Sequence, residues 1–195
     1  KVYQEFGITP VEFFKKYIGI KLDDYVSLIN APTKDKPYNR LYTVKFLGNV
    51  AEGKPITYLN LTIDEIKEAA IAQLKDGHPV WFGSDCMHFS TRKEGIFDRK
   101  TINVEQLYNV KFGMTKAENL DYGESAMDHA MVILGVNIDK DGKPDRWRIE
   151  NSWGKDFGPN GGYCTASDAW FEEFVYQVVV HCRYLDAETV LLLKQ

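Results

Sequence analysis

Two side chains in this sequence have chemistry that belongs together, the imidazole of His129 and the carboxamide of Asn151. A histidine exchanges a proton near neutral pH without any perturbation of its pKa. A carboxamide oxygen that accepts from one ring N–H fixes the tautomer and orientation, and leaves the other ring nitrogen to trade a proton elsewhere. An imidazole held in this way is what a weak nucleophile needs for activation.

The segment that must bring the two together runs from Met127 to Gly154. Ala130 to Val136 is an apolar run of strand length. Arg146 to Asn151 alternates, with Trp147, Ile149 and Asn151 on one face and Arg148 and Glu150 on the other. Between them Asp139-Lys140-Asp141-Gly142-Lys143-Pro144 is rich in turn formers, and Asp-Gly suits the positive φ of a hairpin loop. An antiparallel hairpin is expected, with His129 and Asn151 at nearly equal distances from Lys140 and therefore side by side at its open end.

The rest of the chain supplies further elements. Thr9-Pro10-Val11-Glu12, Thr62-Ile63-Asp64-Glu65 and Thr115-Lys116-Ala117-Glu118 are capping boxes, each predicting a helix start. The second opens a helix with Ile63, Ile66, Ala70 and Leu74 on one face, closing at Gly77. A short helix from a Ser167 cap through Trp170 and Phe174, and a terminal one over residues 187–194, complete the helices. Strands are expected over 41–47, over the apolar Pro79–Gly83 stretch and over 175–183, with turns or loops at 30–39 and 48–55 and a long irregular loop from Ser84 to Lys100. The pattern is α+β, antiparallel strands with segregated helices.

With 195 residues and 44% hydrophobic content the chain can bury a sizeable core. A net charge of −4 and a pI near 5.6 argue against nucleic acid or an anionic membrane as partner. No apolar run approaches the ~18 residues of a membrane-spanning helix, and the first residues hold no signal-peptide core. Three cysteines in no framework spacing predict reduced thiols and a cytoplasmic protein. Neither Cys86 with His88 nor His181 with Cys182 belongs to a four-ligand pattern, so no metal is expected, and Gly161-Gly162 reads as a turn rather than a phosphate loop. No cofactor is called for.

Asp128-His129-Ala130 followed by Glu150-Asn151-Ser152-Trp153-Gly154 resembles the histidine and asparagine motifs of papain-like cysteine peptidases. Val80-Trp81-Phe82-Gly83, Gly123-Glu124-Ser125-Ala126-Met127, Trp170-Phe171 and Val175-Tyr176 narrow the likeness to the bleomycin hydrolase and aminopeptidase C branch. The resemblance implies a papain-like fold of which residues 1–195 are the C-terminal part, an antiparallel β-barrel half with flanking helices and no separate second domain. It implies His129 as base, Asn151 as its orienting partner, peptides as substrates and a hexamer for the complete protein. Trp153 is expected to cover the Asn–His contact.

The family's nucleophilic cysteine, in a Gln…Cys-Trp context, has no counterpart here. Cys86, Cys164 and Cys182 all stand in other surroundings. The expectation is therefore the His/Asn-bearing portion of a cysteine aminopeptidase, inactive without an N-terminal half that carries the cysteine. A non-catalytic barrel module for binding or assembly is the alternative, and an unrelated hydrolase using Cys86 a minor third.

Overall fold

The computed structural model describes residues 2–48 and 50–194. Asn49, inside the turn expected at 48–55, lies outside the described residues. Ten strands form one sheet: β1 (Tyr25–Ile29), β2 (Arg40–Tyr42), β3 (Tyr58–Asn60), β4 (Val80–Ser84), β5 (Ser90–Thr91), β6 (Ile96–Phe97), β7 (His129–Ile138), β8 (Pro144–Glu150), β9 (Tyr163–Ser167) and β10 (Val175–His181). Among the described residues six α-helices accompany them: α1 (Pro10–Phe13), α2 (Ile63–Lys75), α3 (Val104–Tyr108), α4 (Lys116–Asp121), α5 (Asp168–Phe174) and α6 (Ala187–Leu192). The strand order is β2-β3-β1-β10-β4-β7-β8-β9-β6-β5. All pairings are antiparallel except β1 with β3 and β6 with β9.

This α+β sheet is open, which corrects the expected barrel. Its outermost strands, β2 and β5, have three and two residues, too few to build a further ladder that would join the ends. The long strands β7, β8, β4 and β10 occupy the middle, where both backbone edges are paired.

The three capping boxes form as their sequences require. Thr9, Thr62 and Thr115 each accept from the backbone of the third helical residue while its glutamate reaches back to the cap. After α1 the helix loosens into a π-turn over Phe14–Ile18 and stops at Gly19 in the left-handed region. Ser167 caps α5 through Trp170 N. Three expectations shift. The strand foreseen over 41–47 ends at Tyr42, because Val44 and Phe46 find no partner strand and stand exposed. The loop from Ser84 to Lys100 contains the short pair β5 and β6. Within β4, Val80 and Phe82 are fully buried whereas Trp81 is 40% exposed, so this central strand alternates over its first three residues and is buried on both faces only at Gly83 and Ser84.

The core forms where α2 and α5 cover one face of the sheet. Ile66, Ala69 and Ala70 of α2 and Trp170, Phe171 and Phe174 of α5 are buried there. Trp147 of β8, wholly buried, stacks on Phe171 at 4.3 Å between ring centres and donates its indole N–H to Asp168 Oδ1 at 2.9 Å. The other oxygen of Asp168 accepts from buried Lys67 Nζ at 2.6 Å, and Lys67 also reaches Glu172 at 2.7 Å. A cation so enclosed is tolerable only with its partners in place, so it fixes the two helices relative to each other and to the hairpin strand beneath. No helix among the described residues is long and apolar enough to cross a membrane.

Trp147→Ala should lower unfolding free energy by about 3–5 kcal/mol, the usual cost of removing a buried aromatic ring. Trp147→Phe keeps the ring but leaves Asp168 Oδ1 without its donor, and a smaller loss of about 1–3 kcal/mol is expected. Urea unfolding followed by circular dichroism measures both.

Candidate active site

The β7–β8 hairpin carries the pair. Its register runs Val132↔Glu150 and Ile133↔Ile149, then shifts past Leu134 to Gly135↔Arg148. Carried one step toward the open end, it sets Asn151 across from Met131, two residues from His129 and on the same face. The pair therefore meets diagonally, not directly opposite as equal spacing from the turn suggested. Diagonal neighbours on one face remain within reach of long side chains, and His129 Nε2 lies 2.9 Å from Asn151 Oδ1.

The identity of that oxygen follows from a second contact. The Ser152 backbone N–H donates to the same Asn151 Oδ1 at 2.8 Å, and a backbone N–H can only donate. The atom facing the imidazole is thus an acceptor, so Nε2 must carry the hydrogen and Nδ1 is left free for a reactive partner. Asn151 Nδ2 is buried with no partner among the described residues, and so is Ser84 Oγ, whose residue pairs with His129 across β4 and β7.

Trp153 stacks on the imidazole at 4.8 Å and 27°, itself braced edge-on by Phe157 at 4.9 Å. The indole covers the ring as expected, but it keeps 37% of its own surface exposed. The loop after Asn151 is pinned from below: Asn151 N donates to Gly162 O at 3.1 Å, and a Cβ at Gly162 would stand 2.9 Å from Gly154 O. With its φ at +95°, this position has room for no side chain.

Several contributors escaped the sequence reading. Asp85, buried, accepts at one oxygen from Ser125 Oγ and bonds His88 Nδ1 there too, both at 2.7 Å. Ser125 Oγ also pairs with Tyr176 OH at 2.6 Å. This cluster ties the end of β4, the approach to β7 and the start of β10 to one another. Its members are 40 and 51 residues apart, and nothing local to any of them signals the contact. Asp128, read as solvated surface, is exposed but accepts from Cys86 N at 3.0 Å. Beside His129 lies a hollow of about 220 Å³ lined by Trp81, Gly83, Met127, Asp128 and Ala130, in which Met127 lies across the bare face of Gly83.

Cys86 is buried, and burial first, then the Asp128 carboxylate, pushes its thiol up to about 12. Burial alone pushes Cys164 up to about 12. Both are buried and held in the thiol form near neutral pH, the opposite of what a nucleophilic cysteine needs. Among the described residues no group of three or more His, Cys, Asp and Glu could hold a metal ion.

The family model described as Peptidase C1-like family matches residues 1–195. The chain belongs to that family. Aminopeptidase C of Listeria innocua is 51% identical over 187 residues, 96% of this chain and 42% of that protein. Aminopeptidase C of Streptococcus thermophilus is 52% identical over 184 residues, 94% of this chain and 41% of its own length. The crystal structure of PepW from Lactobacillus rhamnosis superposes with a TM-score of 0.93 at 56% identity, covering 96% of this chain and 42% of PepW. The fold is thus that of the papain-like peptidases, and the chain spans about two fifths of the length of these relatives.

Iodoacetamide at neutral pH should label half-exposed Cys182 and spare Cys86 and Cys164 until the protein unfolds, as mass spectrometry would show. A thiol that ionises at 9.0 when unfolded and at about 12 when folded supports the native state fully below pH 9. That support is lost as pH rises from 9 toward 12, because only the unfolded form releases the proton. The urea midpoint should fall over that range, and less steeply in Cys164→Ala.

Proposed function

We propose that this chain supplies the proton-transferring histidine and its orienting amide to a cysteine aminopeptidase whose thiol lies on a portion outside these residues. The observation that carries the reading is the imidazole held by Asn151 at Nε2 with Nδ1 unengaged, under an indole lid. Relatives named aminopeptidase C and more than twice this chain's length support it.

The chemistry follows from that geometry. A cysteine brought to Nδ1 gives its proton to His129, and the resulting thiolate attacks the carbonyl carbon of the first peptide bond. As the tetrahedral adduct collapses, the imidazolium returns the proton from Nδ1 to the departing amine, leaving a thioester. Water then loses a proton to His129 and attacks the thioester, and the thiol is regenerated as the acid leaves. Throughout, Asn151 Oδ1 holds the Nε2–H so that the ring neither flips nor changes tautomer.

Large apolar side chains left at the surface agree with a missing portion. Val2 and Phe6 before α1, and Leu107, Tyr108 and Phe112 around α3, stand more than half exposed, the kind of surface that marks an interaction site where it is contiguous. The complete protein, a hexamer in this reading, acts on peptide N-termini in the cytoplasm, where unpaired thiols such as the three here persist.

Alone, the chain should not hydrolyse aminoacyl coumarin substrates. Mixed with the cysteine-bearing N-terminal portion it should recover turnover. In the reconstituted enzyme His129→Ala should lower kcat by about 10²–10⁴-fold, the usual range for a general acid–base, with a smaller loss for Asn151→Ala. Turnover by the isolated chain that survives His129→Ala would overturn the reading.

A further inference from the structure

Arg92 stands out once the site is laid out. It sits in the turn between β5 and β6, exposed, with its guanidinium carbon 4.9 Å from the centre of the Trp153 ring that is stacked on His129. Its other contact is a weak one, from Nη2 to Met87 Sδ at 3.6 Å. Among the described residues it makes no ion pair, although Asp128 is close enough to act with it on the Cys86 thiol. An arginine is always charged and its planar fork matches a carboxylate. Placed over the indole face, the guanidinium is held there by the ring's quadrupole. A cation oriented and left without an anion beside a proton-transferring histidine is a receptor with one half of its pair absent.

The side of the substrate it meets follows from the proposed reaction, on which this inference rests. His129 hands its proton to the departing amine, so the departing part of the peptide starts at the imidazole. The hollow of Trp81, Gly83, Met127 and Ala130 flanks His129 on the β4 side and suits the acyl part. The indole and Arg92 flank it on the loop side. Imidazole and guanidinium each lie within 5 Å of the same ring centre, so they are at most about 10 Å apart. An extended peptide covers ~3.3–3.6 Å per residue, so Arg92 is within reach of the first two or three departing residues.

We propose that Arg92 is a specificity-determining residue that reads a carboxylate on the departing part of the peptide. Two sources present that chemistry near enough to the cleaved bond: the terminal carboxylate of a very short peptide, and a glutamate side chain.

The test compares kcat/KM in the complete enzyme for matched substrates: di- and tripeptides as free acids against their C-terminal amides, and amidated tripeptides with Glu against Gln as second residue. Arg92→Met keeps an unbranched cover on Trp153 and removes the charge, and Arg92→Lys keeps the charge without the fork. If the terminal carboxylate is read, the free-acid to amide ratio should fall about tenfold in Arg92→Met, less in Arg92→Lys, and in the parent enzyme it should shrink with added salt. If the side chain is read, the Glu to Gln ratio should fall instead. Disturbance of the indole stack slows all substrates alike and cancels from both ratios. An enzyme active on these peptides whose ratios are the same with and without Arg92 overturns the proposal and leaves the peptidase reading standing. An intact enzyme with no His129-dependent turnover removes both.

Discussion

One oxygen atom, Asn151 Oδ1, sets the orientation of the His129 imidazole. It takes a hydrogen bond from its own chain at Ser152 and one from the imidazole of His129. The first contact fixes which end of the amide faces the ring, and the second then fixes which ring nitrogen carries hydrogen. A freely turning amide or imidazole would spend much of its time in arrangements with no open nitrogen toward a reactant. Around the pair that freedom is restricted by the indole on the ring face and by the close approach that bars a side chain at Gly162.

The sheet is built so that these restrictions are rigid. β7 lies between β4 and β8, and all three run through the middle of the sheet with both edges paired. Trp147, two same-face positions from Asn151 with buried Ile149 between them, is clamped through Asp168 to Lys67 and so to both covering helices. Displacing Asn151 therefore means disturbing core contacts. Groups set on strands anchored in this way keep their geometry better than groups on free loops.

Much of this was legible in the residues because it is local. Capping boxes at Thr9, Thr62 and Thr115 state their helices in four letters, and the alternation from Arg146 to Asn151 shows which side chains share a face. The hairpin and the His129–Asn151 pair follow from a turn sequence and a count. The slip at Leu134 did not, since a bulge depends on how two strands settle and not on either one. Nor did the open sheet, because closure turns on whether end strands as short as β2 and β5 meet a partner. The Asp85–Ser125–Tyr176 cluster and the place of Arg92 on Trp153 join residues far apart in the chain and lay beyond any local pattern.

The near-collision of Gly162 with Gly154 has a meaning for anyone who would move this chemistry elsewhere. Asn151 is aimed by a segment that returns and rests against its own exit, and that return is completed only when β9 pairs with β8. Any portable piece consequently holds at least three strands with their connecting loop, residues 127–167, together with the β4 and helix contacts that brace them. A grafted two-strand ribbon would carry the right letters with the amide free to swing.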